Sequence, residues 1–422
     1  MRRLVDHFRR PLRAQYWDLR RHLGQLRETL RPRNRSFRSA LVQDWVRWLI
    51  RVPAKQGADG RRRMDAAVDW LLRAQEATSD GGVSLGYFPC DEDTNEGWRD
   101  SYPETTGYIM VSLIDYAQAF DRRDILENVW EMANWEADVQ MESGAVQGGT
   151  VCAPPEQVAA VFNTGMVLQG YAAALALRDD ERILRAACRA ADFLVGDQGD
   201  DGHFRSHGKF VAAATIKTYN SLCAWPLYRL GKAIDRPQYR ETAIRAVEAS
   251  VREQRENGWF TNNCLTRPDA PLTHTIAYNL QGILEVGALA GRNDFLDAAR
   301  RGLDPLLERL RRDGYLAGRF YDDWRPAAFS ACLTGSAQLA IVAYRLYELL
   351  DDARYMEAAD RLVGFVEQTQ RLEVENEDMR GAVPGSFPLN GSYMSYGYPN
   401  WATKYFLDSL LLRHRLSGGK SA

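Results

Sequence analysis

One pattern recurs six times along the chain and limits its fold more than any other feature. An apolar stretch ends near a glutamine, or at Leu310 in the fifth copy, and is followed by a glycine turn. Counted from Gly82, successive turns are separated by 62, 58, 56, 56 and 67 residues. This period accommodates two helices of about 15 residues and two loops, so it predicts six helical hairpins. The turn glycines are Gly82, Gly144, Gly202, Gly258, Gly314 and Gly381.

Each turn leads through a loop into a second helix that is apolar on most faces, as in Met166–Ala176 and Ile276–Gly287. A helix that is hydrophobic nearly all round is buried, whereas the Arg- and Glu-rich first helices belong outside. Thr, Ser and Asn at the starts of the second helices are typical N-caps. We therefore predict an all-α fold, an (α/α)6 toroid of six hairpins closed on itself.

The charge is distributed unevenly and suggests a separate N-terminal segment. Residues 1–51 contain 14 Arg and four acids, although the whole chain has a formal net charge of −2. We predict a basic helical N-terminal extension over 1–60, a toroidal catalytic domain over 61–415 and a flexible tail over 416–422. The basic segment either packs on its own acidic domain or contacts a membrane or an assembly complex. No nucleic-acid recognition motif accompanies it, so we expect no nucleic-acid partner.

The chain start has no apolar core typical of a signal peptide, and no apolar run approaches membrane-spanning length. The six cysteines lack paired spacing, which favours a reducing compartment. We therefore expect a cytoplasmic protein, with contact at the inner face of the membrane as a further hypothesis. We expect no cofactor and no metal, because Cys223, Cys264, His274 and Cys332 show no zinc-type spacing.

The loops after the turns are rich in aromatic residues, and they share one end of the predicted toroid with the starts of the inner helices. Six positive helix ends then point at one concavity and favour a polar or anionic ligand. Aromatic faces stack on sugar rings, while amides and Arg bind hydroxyls. The predicted substrate-binding residues are Trp98, Asn163, Tyr219, Asn220, Trp259, Arg319, Trp324, Gln338, Tyr398, Trp401 and Lys404.

Residues 60–415 resemble the six-hairpin glycosidase-type superfamily. Its members include glycoside hydrolases, polysaccharide lyases, sugar 2-epimerases and the helical domain of glucuronyl C5-epimerases. The ending of the chain, Pro384–Gly391 with Tyr398–Trp401, is similar to the C5-epimerase ending and to proteins associated with exopolysaccharide synthesis. The resemblance implies an (α/α)6 toroid that acts on an oligo- or polysaccharide, and we expect an enzyme of polysaccharide metabolism.

The first predicted mechanism is proton abstraction on a glycan that contains uronic acid, by lyase or C5-epimerase chemistry. His274 and Tyr278 are one helical turn apart and share a face, so they are candidates for the acid/base pair. Asn220, Arg319 and Lys404 would bind the substrate carboxylate. For Lys404, a salt bridge to Asp408 one turn on is the alternative.

The second predicted mechanism is glycoside hydrolysis, which needs two carboxyl groups on opposite sides of the scissile bond. Glu104 starts an inner helix, where the positive helix end favours its ionised form and suits a base or nucleophile. Asp322 and Asp323 are its candidate partners, with Asp100 and Glu96 on nearby loops. The alternatives are a helix-capping role for Glu104 and a solvated loop at Asp322–Trp324.

Two hypotheses from other classes remain. The chain could be a glycan-binding protein without catalysis, because no catalytic signature is complete. More remotely, Gln254–Trp259 resembles the repeats of triterpene cyclases. Such isoprenoid cyclases need an Asp-x-Asp-Asp motif, and Asp91–Thr94 falls short of it.

Overall fold

The computed structural model describes residues 22–51, 59–91, 97–209, 211 and 215–418. Residues 22–29 are helical, and a 3-10 segment over Thr218–Cys223 precedes α7. The longer helices are α1 (Arg35–Ile50), α2 (Gly60–Glu76), α3 (Pro103–Phe120), α4 (Leu126–Val139), α5 (Val161–Leu175), α6 (Glu181–Asp197), α7 (Ala224–Ala233), α8 (Pro237–Arg252), α9 (Thr273–Ala290), α10 (Asn293–Glu308), α11 (Leu333–Leu350), α12 (Ala353–Glu367) and α13 (Asn400–Leu416).

Helices α2 to α13 form six hairpins, in which an outer helix is followed by an inner one. The inner helices α3, α5, α7, α9, α11 and α13 pack against one another in chain order. Helix α13 packs against α2 and α3, so the last hairpin closes on the first. The predicted (α/α)6 toroid is confirmed. Two short antiparallel pairs tie the loops at the helix starts: β1 (Gly86–Tyr87) with β4 (Tyr398–Pro399), and β2 (Ala331–Cys332) with β3 (Ser386–Phe387).

Burial follows the sequence pattern of the two helix types. On the inner helix α5, every residue from Val161 to Tyr171 is buried. On the outer helix α6, burial is restricted to a stripe that includes Ile183, Ala187 and Leu194, and the opposite face is exposed. A stripe of this kind is the apolar face of an amphipathic helix that lies on a core.

The recurring glutamine of the sequence repeat joins neighbouring hairpins. The Nε2 amide of Gln140 donates to the Gly144 carbonyl at 2.8 Å and to the Ala186 carbonyl of the next outer helix at 3.0 Å. Gln370 makes the same two bonds to Gly381 (2.9 Å) and, across the closure, to Arg63 (3.0 Å). We call this arrangement the glutamine clamp; its other members are Gln75, Gln198 and Gln254.

The turn glycines have positive φ and lie directly on the next outer helix. Gly381, with φ of 88°, lies against α2, where a Cβ atom would collide with the carbonyl oxygen of Ala66. Gly258, with φ of 85°, meets the Arg301 carbonyl in the same way. In the first hairpin the positive-φ residue is Gly81 rather than Gly82. Only glycine combines this conformation with so close a backbone approach.

The predicted N-caps are wrong. The residues before the inner helices, such as Tyr102 and Ala160, make no side-chain cap bond. Three of the predicted threonines lie inside the first turn of their helix. Each hydroxyl accepts a hydrogen bond from the backbone N–H of a valine, which lies two residues after the positive-φ glycine of the turn. These pairs are Thr106 with Val83, Thr164 with Val146 and Thr403 with Val383. The polar helix starts therefore hold the loop of their own hairpin.

Helix α1 packs on the outside of the toroid. Asp44 forms a 2.5 Å ion pair with Arg371, and Trp45 Nε1 donates to Asn390 Oδ1 at 3.1 Å. Phe37 packs edge-to-face on Tyr398. Residues 1–21 and 52–58 of the predicted extension lie outside the described part of the chain, as does most of the predicted tail. None of the described helices is long and apolar enough to cross a membrane.

Replacing Gln370 with Leu removes the clamp that closes the ring, and with it the two hydrogen bonds to the carbonyls of Arg63 and Gly381. Each such bond contributes about 1 kcal/mol, so Gln370→Leu should lower the free energy of unfolding by about 2 kcal/mol in urea denaturation. The exposed Gln43 in α1 is the matched control, and Gln43→Leu should change stability by less than about 0.5 kcal/mol. Equal effects of the two substitutions would contradict the role of the clamp.

Candidate active site

Three inner helices each place a pair of residues, one turn apart, at the same end of the toroid. The pairs are Glu104 and Tyr108 on α3, His274 and Tyr278 on α9, and Trp401 and Tyr405 on α13. Residues four apart lie on one helix face, so both members point the same way. The rings meet: the centroids of Tyr278 and Tyr405 are 6.0 Å apart, and those of Tyr108 and Tyr405 are 5.5 Å apart.

We call this cluster the tyrosine chamber, defined by Glu104, His274, Tyr102, Tyr108, Tyr219, Tyr278, Tyr393 and Tyr405. Phe162 of α5 links two of its tyrosines, with ring centroids 4.6 Å from Tyr278 and 5.4 Å from Tyr219. Trp401 Nε1 donates to Tyr393 Oη at 2.9 Å, and the His274 ring lies 5.6 Å from that of Tyr393. Aromatic surface therefore surrounds one carboxyl group and one imidazole.

Glu104 is the half-buried acid of the chamber. Burial raises the pKa of its carboxyl group to about 7, and a 3.3 Å hydrogen bond from Tyr102 Oη opposes this shift only weakly. The expectation that the helix start keeps Glu104 ionised is therefore wrong, because desolvation outweighs the favourable helix end. A carboxyl group with this pKa can donate a proton near neutral pH and accept it again.

His274 is held in a defined orientation by Gln338, whose Oε1 lies 2.5 Å from His274 Nδ1. Because a carboxamide oxygen only accepts, Nδ1 carries the hydrogen and Nε2 is left as the acceptor. Burial lowers the pKa of His274 to about 4, so the imidazole is neutral at pH 7. Its ring centroid is 4.2 Å from that of Tyr278, and the predicted pair does lie together.

Several buried polar atoms in the chamber make no well-formed hydrogen bond to a described residue, although the Tyr278 hydroxyl interacts with those of Tyr108 and Tyr405. They are the hydroxyls of Tyr108 and Tyr278 and the Nε2 amide of Gln338. Burial also raises the pKa of the Tyr278 hydroxyl well above its usual value, so this group stays protonated. A buried polar group without a partner costs about 1–3 kcal/mol. Such groups are therefore available to bind the hydroxyls of a ligand.

Other predicted binding residues lie around the chamber. Asn163 Nδ2 donates to the Gln147 carbonyl at 2.9 Å, and Asn220 Nδ2 is 3.2 Å from His207 Nδ1. Arg319 donates to the Ala270 carbonyl at 2.7 Å and influences the hydroxyl of Tyr393 electrostatically. The structure thus brings His274, Tyr278 and Glu104 together with Gln338, Tyr219 and Trp401.

Asp322 and Asp323, the predicted partners of Glu104, lie in ion pairs outside the tyrosine chamber. Both are exposed; Asp322 pairs with Arg255 at 2.8 Å and Asp323 with Arg325 at 2.6 Å. These ion pairs belong to surface loops of the fourth and fifth hairpins. The alternative of a solvated loop therefore describes the two aspartates better than a catalytic role.

Three predicted aromatic residues pack inside the protein. Trp259 and Trp324 contact each other edge-to-face at 5.1 Å, and Trp324 Nε1 donates to the Asn257 carbonyl at 2.9 Å. Trp98 packs between Trp70 and Tyr87, with ring distances of 5.4 and 5.3 Å. The burial of their rings leaves little surface for a ligand.

The fourth, Tyr398, lies in β4 and is almost fully buried against Phe37 of α1. Lys404 lies beneath the chamber, with its Nζ 2.6 Å from Asp408 Oδ2 and 4.1 Å from the centre of the Tyr405 ring. The salt bridge to Asp408, weighed above as the alternative, is the contact observed. It occupies the ammonium group that we had assigned to a substrate carboxylate.

Sequence reasoning missed Phe162, Tyr108 and Tyr405 as site residues. The signal was present for the two tyrosines, because each follows a selected residue, Glu104 or Trp401, by one helical turn.

Among the described residues, no other carboxyl group perturbs the pKa of Glu104. The acids of loop 92–96, including Glu96, lie outside the described part of the chain. No group of three metal-ligating side chains occurs in the described ranges.

Neither a protein-family model nor the sequence of a curated protein matches this chain. Solved structures share its fold. Unsaturated glucuronyl hydrolase from Bacillus sp. GL1 is 18% identical with a TM-score of 0.66, over 85% of this chain and 97% of that chain. A heparin-specific unsaturated glucuronyl hydrolase is 14% identical (TM-score 0.67, 86% and 99%). Cellobiose 2-epimerase from Bacillus thermoamylovorans is 10% identical (TM-score 0.67, 84% and 98%). The chain therefore shares the (α/α)6 toroid fold of these proteins, as its sequence predicts.

Proposed function

We propose that this protein is a carbohydrate-active enzyme that hydrolyses a uronic-acid-containing oligosaccharide, with Glu104 as its acid/base group. The observation that carries the proposal is a carboxyl group enclosed by tyrosine rings, where burial raises its pKa to about 7. The fold is that of unsaturated glucuronyl hydrolases, which fits this substrate class. The starts of six inner helices surround the chamber and favour a substrate carboxylate.

A single acid/base group favours an unsaturated uronic acid as the substrate. Such a sugar contains an enol ether, in which Glu104 can protonate the double-bond carbon and leave a cation stabilised by the ring oxygen. Water then adds to the cation and returns its proton to the Glu104 carboxylate. The hemiketal so formed opens to a ketone, and the hemiacetal that this opening leaves at the anomeric carbon expels the glycosidic oxygen as an alcohol. Cleavage of an ordinary glycosidic bond needs two carboxyl groups instead. The described residues provide no second carboxyl group beside Glu104.

Proton abstraction from a uronic acid, by lyase or C5-epimerase chemistry, is the second candidate. The arrangement of His274 supports it, because the bond to Gln338 leaves Nε2 as an acceptor and Tyr278 lies beside it. Its low pKa, about 4, makes this histidine a weak base. We therefore place hydrolysis first. A glycan-binding protein without catalysis would share the chamber but show no turnover.

Glu104→Gln should lower kcat by about 10²–10⁴-fold on unsaturated uronyl oligosaccharides, measured by the loss of ultraviolet absorbance of the double bond. The activity of the unaltered protein should also fall as the pH rises above about 7, because Glu104 then loses its proton. Asp322→Asn, a change at an exposed ion pair, is the matched control and should keep full activity.

The same assay, run in deuterated water on saturated polyuronates, separates the candidates. A gain in absorbance would indicate β-elimination, and deuterium at C5 without cleavage would indicate epimerisation. Either result, abolished by His274→Ala but kept in Glu104→Gln, would contradict the hydrolytic mechanism. Binding without turnover of any of these glycans would support the non-catalytic hypothesis.

We further propose that the N-terminal segment contacts an anionic membrane surface, which would place the protein at the cytoplasmic face. Helix α1 packs on the toroid through one face, and its other face exposes Val42, Val46, Leu49 and Ile50. Leu23, Leu26 and Leu30 of the preceding segment are also exposed. A row of aliphatic residues flanked by Arg is typical of a helix that lies on a membrane surface.

Leu49→Asp should reduce partitioning of the protein to phosphatidylserine-containing vesicles by about tenfold, because an inserted leucine is replaced by a charge. Cosedimentation at low and high salt measures this effect. Leu184→Asp, an exposed leucine on α6, is the matched control and should leave partitioning unchanged. Equal binding by all three proteins would contradict the membrane contact.

A further inference from the structure

A cavity of about 810 Å³ lies at the opposite end of the toroid from the tyrosine chamber. We call it the rear cavity; most of its walls come from the second halves of the inner helices, and Trp225 joins them from the start of α7. The residues that matter below are Asp115, Gln169, Trp225, Arg229, Gln281 and Tyr405. Tyr405 and the neighbouring Lys404–Asp408 ion pair separate it from the chamber. Its size suits a ligand of one to three sugar units.

Two charged groups in the rear cavity, Arg229 and Asp115, form no direct ion pair, although they lie close enough to attract each other electrostatically. Arg345 pairs with Glu285 at 2.8 Å and Lys404 with Asp408 at 2.6 Å. By contrast, neither Arg229 nor Asp115 forms an ion pair or hydrogen bond with any described residue. The Arg229 guanidinium lies 5.8 Å from the centre of the Trp225 ring, and Asp115 is exposed to the interior of the cavity.

A buried amide adds an unsatisfied acceptor to these charges. Gln281 is only 7% exposed, and its Oε1 has no hydrogen-bond partner in the described part of the chain. Gln169, 4% exposed, lines the same wall. A buried carbonyl oxygen without a donor costs about 1–3 kcal/mol, which a hydroxyl of a ligand would offset. The site thus offers a cation, an aromatic face and two acceptors.

We propose that the rear cavity is a second binding site, for a small sugar acid such as a free uronate. The carboxylate pairs with Arg229, the ring packs on Trp225, and hydroxyls donate to Gln281 Oε1 and Asp115. A neutral sugar lacks the partner for Arg229 and should bind more weakly. The proposal concerns binding alone and stands whether or not the tyrosine chamber is hydrolytic.

The site can be tested with glucuronate and protein labelled with 5-fluorotryptophan, in which Trp225→Phe identifies the Trp225 fluorine resonance. Glucuronate should shift this resonance in the unaltered protein and equally in Glu104→Gln, a variant of the other end. Arg229→Gln should raise the dissociation constant by about tenfold or more, and glucose should bind about tenfold more weakly than glucuronate. Asp115→Asn should also weaken binding.

Arg178→Gln is the matched control, because this guanidinium stacks on Trp130, 3.8 Å from the ring centre, outside the rear cavity. It should bind glucuronate like the unaltered protein, and thermal unfolding should confirm that every variant is folded. The proposal is overturned if millimolar glucuronate leaves the Trp225 resonance unmoved. It is equally overturned if folded Arg229→Gln binds with unchanged affinity, or if binding is lost in Glu104→Gln.

Discussion

The rest of the structure depends on one hydrogen-bonding arrangement, the glutamine clamp. Each clamp amide satisfies the carbonyl of a turn glycine and a carbonyl of the next outer helix, so it fixes the spacing between hairpins. The bonds of Gln370 to Arg63 and Gly381 do the same across the closure. In the fifth hairpin the position is Leu310, which is buried, so apolar packing replaces the amide there. A ring built from these contacts brings the starts of its inner helices together.

The chemistry of the chamber follows from that convergence. A helix start favours an ionised carboxylate, whereas removal from water favours the neutral acid. Around Glu104 the burial effect is the larger, because tyrosine rings from three inner helices, the 3-10 segment before α7 and the neighbouring loops displace water. The same burial keeps His274 neutral. One environment therefore provides a proton donor and a neutral acceptor near pH 7, and no charged group in the described part of the chain contributes to the pKa shift of either residue.

The sequence predicts the ring of hairpins because repetition and apolar periodicity are local properties. It also predicts that His274 and Tyr278 share a face, since helical spacing alone decides this. The same spacing rule, applied to Glu104 and Trp401, identifies Tyr108 and Tyr405. The partners of Asp322 and Asp323 could not be predicted, because they depend on loop paths that periodicity does not describe. The clamp glutamines recur visibly in the sequence. Their role could not be predicted, because it depends on the distance to the carbonyls of the next hairpin. For Lys404 the sequence allows either substrate binding or a salt bridge to Asp408. Only the packing beneath Tyr405 distinguishes these two interpretations.

The two ends of the toroid offer different environments. The chamber is aromatic and tightly packed around one acid, whereas the rear cavity is wide and contains Arg229 and Asp115, which form no direct ion pair. The account of function depends most on the protonation of Glu104. Carbon-13 NMR of protein labelled at the glutamate side-chain carboxyl, with the resonance assigned by Glu104→Gln, measures this directly. We predict a titration midpoint near pH 7; a midpoint near 4.5, the ordinary value for glutamate, would contradict the proposed role as proton donor.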